Sequence, residues 1–279
     1  MRKKSSQLFT YVFLTILSVV MIYPLIWLIG ASFKSNAEIF SSIWFVPKKI
    51  DFTVYKNAWE NSGTYNMGHY FLNTFIIVIP KVIFTVISST IVAYGFAKYD
   101  FPLKKFFFAL MIAALFLPQT ATILPSYVMW EKVGLTDTYA PLILPSLFAS
   151  DSILVYMLIQ FFKDIPQETD DAASIDGCGA LKKLFLIYIP CVKPAVISTA
   201  VFTFLWTMND FINPLVYISS VKKYPIILAI RMSIDITGQG YDQNKIIAVS
   251  VISLIPSIAV FAAAQKKFVN GIATGGIVG

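Results

Sequence analysis

The apolar residues of this chain gather into long runs at about 8–31, 71–97, 106–125, 140–162, 184–206 and 246–265. A helix needs about 20 apolar residues to cross roughly 30 Å of hydrocarbon, and each run comes within a few residues of that length. The pattern predicts an all-α polytopic membrane protein with six transmembrane helices, folded as one domain over residues 1–279. A mean hydropathy of +0.72 agrees, since so apolar a chain lacks the polar surface of a water-soluble globule.

The first run follows Arg2, Lys3 and Lys4 and ends at Gly30-Ala31-Ser32, a layout shared with secretory signals. It is longer than an h-region of about 7–15 residues, so it reads as a retained helix. The basic residues then orient the chain. Segments on the side of the N-terminus carry eleven of them: Arg2, Lys3, Lys4, Lys98, Lys104, Lys105, Lys163, Lys182, Lys183, Lys266 and Lys267. The longer opposite connections, about 34–70, 126–139 and 207–245, carry nine. That density places both termini in the cytoplasm. The net charge of +7 is thus a topology signal, and no basic, aromatic-interleaved stripe points to nucleic acid.

Chemistry-bearing motifs are sparse. One histidine, His69, leaves no metal spacing of the H-E-x-x-H kind, and no G-x-x-x-x-G-K-[ST] loop is present to cradle ATP phosphates. Cys178 and Cys191 fall on the cytoplasmic side, where thiols stay reduced. Neither a catalytic cluster nor a cofactor site is expected in this chain.

One polar stretch interrupts the apolar runs. Pro166 should open a helix, because Ile165 before it avoids the α region and proline suits a first turn. Glu168, Asp170 and Asp171 then lie near the positive end of that helix, followed by Ala172, Ala173 and Asp176. Gly177 is placed to end it in the left-handed conformation. After Gly179, "ALKKLFLIYIP" starts a second helix that should run into the fifth span. A helix-turn-helix over about 164–183 results, at the cytoplasmic membrane face.

"DDAASIDG" with "IYIP" and Pro194 resembles the EAA signature of inner-membrane permease subunits of binding-protein-dependent ABC importers, and more specifically their maltose-type carbohydrate branch. Further matching segments are "NTF" at 73–75, "AYGFAKYDFP" at 93–102, "LP" at 117–118, "ILPSY" at 123–127, "VGLTDTYAPLILP" at 133–145, "MNDFINPL" at 208–215 and "QKKFVNGIATGGIVG" at the C-terminus. The resemblance covers essentially the whole chain. It implies that the helix-turn-helix is the coupling element inserted into a cleft of a separate ATPase subunit, with Asp171, Ala172, Ala173, Asp176 and Gly177 at the docking positions. Asp171 stands where the family usually carries glutamate. The alternative is an amphipathic surface helix with a chance glycine cap.

Intramembrane polar groups are costly and tend to face protein or water. Tyr70, Asn73, Thr74, Lys81, Thr85, Ser88 and Ser89 share roughly one face of the second span and would line a polar path or form a helix-packing seam. Asp151 is a possible partner for Lys81, and Lys193 would snorkel to the inner face. Trp206, Asn209 and Asp210, with Tyr127 and Trp130, offer the aromatic faces and hydrogen-bonding groups a sugar would want, though Trp and Tyr are also ordinary interfacial anchors.

The family implies a non-enzymatic permease subunit in a bacterial or archaeal inner membrane, forming half of a path for a sugar or oligosaccharide. Its partners would be a second, related permease subunit, two copies of an ATPase subunit that holds ATP and Mg, an extracytoplasmic sugar-binding protein, and membrane lipid. A polyol or sugar-phosphate importer of the same fold, or an ion-coupled secondary transporter, remains open as the alternative.

Overall fold

A computed structural model of the chain describes residues 2–60, 64–236 and 243–275, and every regular element among them is helical. The last four residues of the C-terminal motif lie outside the described residues. Two compact units emerge, one of residues 1–70 with 229–255, the other of 71–228 with 256–279.

In the first unit, α1 (Arg2–Ala31) carries an apolar stretch from Gln7 to Ala31, exposed along most of its length and buried only at Ala31. The chain then doubles back. Ser35 caps the short α2 (Asn36–Ser41) by accepting the Glu38 N–H at 3.3 Å, a favoured use of serine. Lys34, only 1% exposed, donates to the carbonyls of Ser42 (3.1 Å) and Trp44. Tyr23 donates to the Ile43 carbonyl at 3.1 Å, so this segment lies along the last turns of α1. Gly30 makes that approach possible, because a Cβ there would come within 1.8 Å of the Phe45 carbonyl oxygen. α3 (Thr53–Glu60) completes the segment.

The second unit is built around α4 (Met67–Lys98) from Phe71 onward. Leu72, Ile76, Ile79, Ile83, Ile87 and Ile91 are exposed along one face, whereas Asn73, Thr74, Ile77, Val78, Thr85, Ser89 and Ala93 are buried along another. Both sets follow the three- and four-residue spacing of a helix. α5 (Lys104–Ala114), α6 (Gln119–Lys132), α7 (Ala140–Ile143) with a 3-10 turn (Leu144–Phe148), and α8 (Ser152–Lys163) follow. Next come α9 (Gln167–Ile175), α10 (Ala180–Lys183), a π-turn (Leu184–Tyr188), α11 (Ile189–Cys191), α12 (Lys193–Met208) and α13 (Ile212–Tyr217). Of the last two helices, α14 (Ile226–Ile236) and α15 (Gln243–Gly275), residues 229–236 and 243–255 belong to the first unit. The core joins Ala93 and Tyr94 of α4, Leu158, Ile159 and Phe162 of α8, Leu184 and Tyr188 of the π-turn, and Ala195 of α12.

Among the described residues, four helices are long and apolar enough to span a membrane, or five if one bent pair counts as a single span. The expected six is not reached, and prolines account for the difference. The run at 106–125 divides between α5 and α6, with Leu117 before Pro118 in the break, because the residue before proline avoids the α region. The run at 184–206 is not straight either. Ala180–Cys191 meets Lys193–Met208 at 81°. Pro190 offers no N–H to the preceding turn, the π-turn takes up the misfit, and Pro194 restarts the helix. The helix entered at Ala180 therefore does not continue into the fifth span as expected.

Since Gly30 is where two backbones touch, Gly30→Ala is expected to push the Ser42–Val46 segment away from α1. An overpacking cost of about 1–3 kcal/mol follows, read as a lower unfolding temperature of the purified protein in detergent and faster proteolysis within residues 36–50.

Candidate functional site

Two places in the second unit concentrate polar groups. The first is the connection between α8 and α12. α9 begins at Gln167 with Pro166 as its extended N-cap, and ends where Gly177 takes φ +70°. Only the left-handed backbone calls for glycine there, because a Cβ would meet nothing within 4 Å. Asp171, Ala172, Asp176 and Gly177 are exposed. Ala173 is 4% exposed and packs inward, so of the alanine pair Ala172 alone is on the surface. Beside these carboxylates stand unpartnered apolar side chains: Ile175 is 86% exposed, Leu181 70% and Phe185 60%.

Asp170, rather than Asp171, fastens this loop to its own chain. The Asp170 carboxylate accepts the Tyr188 hydroxyl at 2.7 Å and pairs with Lys183 at 3.0 Å. Lys183 also donates to Ser174 Oγ (2.7 Å), Lys98 donates to the Ile165 carbonyl (2.8 Å), and Tyr94 donates to the Ala180 carbonyl (3.2 Å). Asp171 takes only a long bond from Gln167 Nε2, at 3.4 Å. The Tyr188 hydroxyl holds the Asp170 carboxyl below the usual aspartate range. Burial opposes that shift, and Lys183 and Lys98 reinforce it. The sequence puts Asp170 and Asp171 alike at the positive end of α9, and only the facing Tyr188 and Lys183 separate their roles.

The second place is an open cavity of about 900 Å³. It brings together Lys81, Asp151, Trp206, Asn209 and Asp210 of the residues named from sequence, and Trp130 as well. Tyr127 stands behind the wall, stacked on cavity-lining Tyr217 at 6.3 Å between ring centroids. Asn73 and Thr85 lie elsewhere. Asn73 is buried and donates to the carbonyls of Lys222 (2.8 Å) and Tyr224 (3.0 Å), while Thr85 is buried with its hydroxyl unpaired. Lys81 follows Pro80 inside α4. Asp151 sits at the N-terminal end of α8, just after Ala149 takes φ 51° and breaks the helix. That end favours a negative charge. The Asp151 side chain makes no capping bond, and no ion pair joins it to Lys81. Asp210 is otherwise engaged, accepting from the Asn213 N–H (3.1 Å) and Nδ2 (2.8 Å) at the start of α13.

A depressed carboxyl contributes stability above the unfolded aspartate value of about 3.9 that is lost as pH falls through the lower folded value. The Asp170 clamp is therefore at full strength at neutral pH and weakens below about pH 4. Asp170→Asn imitates that loss at pH 7. Breaking a charged hydrogen bond costs about 1–3 kcal/mol locally, so amide hydrogen exchange across Gln167–Ile175 is expected to speed up while the α4 and α8 amides keep their protection.

The model of the family described as "Binding-protein-dependent transport system inner membrane component" matches residues 86–273. The chain is similar to the diacetylchitobiose uptake system permease protein of Streptomyces coelicolor, at 29% identity over 95% of this chain and 87% of that one. It is similar to the arabinooligosaccharides transport system permease protein of Halalkalibacterium halodurans as well, at 29% identity over the full length of both. Among solved structures, a bacterial ABC transporter involved in import of the acidic polysaccharide alginate has a chain of the same fold. Its TM-score is 0.79 with 22% identity, covering 96% of this chain and 98% of that one. With its matched segment running from the middle of α4 into α15, this chain belongs to the family of inner-membrane components of binding-protein-dependent transport systems.

Proposed function

We propose that this protein is the permease subunit of an ATP-driven importer of a sugar or oligosaccharide, contributing half of the path. The observation that carries the reading is the cavity in which Trp130 and Trp206 meet Lys81, Asp151, Asn209 and Asp210. Flat aromatic faces pack against the C–H face of a pyranose ring while carboxylates, amides and an ammonium group take its hydroxyls. The names of the relatives, which concern diacetylchitobiose and arabinooligosaccharides, support that substrate class.

In this reading ATP and Mg are held by two copies of an ATPase subunit, a related permease chain supplies the other half of the path, and an extracytoplasmic binding protein delivers the sugar. The exposed surface of Asp171, Ala172, Ile175, Asp176 and Leu181 docks in the ATPase cleft, and closure of the ATPase dimer rocks the two permease cores between inward- and outward-open states. α5 and α6 together form one broken span. That restores six crossings, which puts both termini on one side, and the bias of basic residues makes that side the cytoplasm, so Ser5→Cys is expected to resist a membrane-impermeant thiol reagent in intact cells and Ser41→Cys to react. The reverse labelling would overturn the orientation.

Lys81→Met is expected to lower sugar uptake by the reconstituted complex about tenfold or more, as loss of a charged hydrogen bond does, while leaving assembly unchanged. Loss of assembly without a selective uptake defect would make the α4 polar face a packing seam. For the docking surface, Gly177→Val forces a branched residue into left-handed backbone at a cost of about 1–2 kcal/mol. It is expected to weaken ATPase docking or uncouple hydrolysis from uptake in a complex that still inserts. Asp171→Glu should keep wild-type uptake. Full binding-protein stimulation of ATPase and full uptake in Gly177→Val would reduce the loop to a connector.

A further inference from the structure

The wall of the cavity that carries Tyr217 is not held by apolar packing alone. Tyr217 ends α13, and the chain beyond it, residues 218–225, runs to the start of α14 as a strap with only one short 3-10 turn, Val221–Lys223. A strap of this kind has no helical ladder to satisfy its peptide groups, so something else must. On one flank α4 does so, with Asn73 Nδ2 donating to the carbonyls of Lys222 and Tyr224 and Thr74 Oγ1 accepting the Ile226 N–H at 2.8 Å. On the other flank a single residue does so.

That residue is Asp137, in the turn between α6 and α7. Its carboxylate accepts the N–H groups of Ser219 (3.0 Å) and Ser220 (2.9 Å), the Ser220 hydroxyl (2.6 Å) and the Lys223 ammonium (3.0 Å). Lys223 donates to the Asp137 carbonyl as well, and the Asp137 N–H donates to the Tyr217 carbonyl at 2.8 Å. To present all of these groups to one segment the residue adopts φ 54°, a conformation aspartate tolerates better than most residues. Burial works against ionisation here, but the bonds from Ser220, Lys223 and Ser219 prevail and hold the carboxyl well below the usual range. The tether is therefore charged at any physiological pH. Tyr217 itself is 5% exposed, packed with Ile77, Leu142 and Ile218 and stacked on Tyr127.

We propose that Asp137 is a positioning residue of the translocation cavity, which by tethering residues 219–223 fixes Tyr217 in the cavity wall and sets how far that wall opens. The inference rests on the reading of the cavity as the path. It gives Asn73 a role beside Asp137 as the second tether of the same strap rather than as a lining group.

Ser126, which lines the cavity with Tyr217, supplies the probe site. In the reconstituted importer, with Cys178 and Cys191 replaced by serine, the reaction of Ser126→Cys with a small charged thiol reagent is timed. Asp137→Ala is expected to raise that rate about tenfold, the ratio that follows from losing one charged hydrogen bond, and to lower uptake per ATP hydrolysed. Asp137→Asn keeps an oxygen for the Ser219 and Ser220 N–H groups but loses the ion pair, so it should fall between. Where Asp137→Ala does not assemble, Lys223→Met carries the same comparison by removing both bonds of the Lys223 ammonium to Asp137 while leaving the Ser219 and Ser220 bonds in place. An unchanged thiol rate and unchanged uptake per ATP in assembled complex would overturn the tether. Protection of the probe thiol by the transported sugar in the Asp137 background is a separate readout: its absence would remove the cavity as the path, while the rate comparison would still decide whether Asp137 holds the wall.

Discussion

The constraint on which the rest of this structure depends is that no peptide group can be left unpaired in hydrocarbon. Where the chain stays helical, as along α1 and the face of α4 that carries Ile76, Ile83 and Ile91, the exposed side chains are mostly apolar. Where it departs from the helix, polar groups gather to meet the exposed backbone. The break at Ala149 to Asp151 opens into a cavity with Lys81 and Asp210, and the strap after Tyr217 is paired by Asn73, Thr74 and Asp137. Irregular backbone and polar chemistry coincide because each makes the other tolerable.

The same economy governs the charges. Lys34, Asp137, Asp170 and Lys183 are each spent on the chain's own loops: Lys34 on carbonyls, Asp137 on N–H groups, and Asp170 and Lys183 on each other and on the hydroxyls of Tyr188 and Ser174. Lys81 and Asp151, in contrast, have no ion-pair partner and line the cavity. At the cytoplasmic loop the division is finer still. Asp170 turns inward to Tyr188 and Lys183, and its neighbour Asp171 is left at the surface. Adjacent residues on one helical turn point about 100° apart, so one side chain anchors the loop while the next is free for another molecule.

Much of this was legible in the sequence because it depends on local chemistry. Run length gave the helical class, and Gly177 marked the left-handed end of α9, found at φ +70°. Gathering Trp206, Asn209 and Asp210 near Trp130 needed only their positions at the ends of runs. What stayed hidden depends on partners distant in sequence. Asn73 read as a path residue because its helix face is polar, yet its bonds go to a strap some 150 residues later. Asp137 drew no notice in a turn, where aspartate is ordinary. The breaks inside 106–125 and 184–206 were signalled by Pro118, Pro190 and Pro194, and hydropathy averaged over a run cannot register a single missing N–H.

The 81° corner between α11 and α12 has a mechanical consequence. Two rods joined near a right angle form a crank, in which rolling one about its long axis sweeps the far end of the other through an arc. α12 has 16 residues, about 24 Å at 1.5 Å per residue, so a roll of about 10° in Ala180–Cys191 carries the Met208 end sideways by about 4 Å. Trp206, Asn209 and Asp210 ride at that end. Torque applied to the loop at Asp170 and Lys183 thus arrives at the cavity as displacement, with no need for either helix to bend.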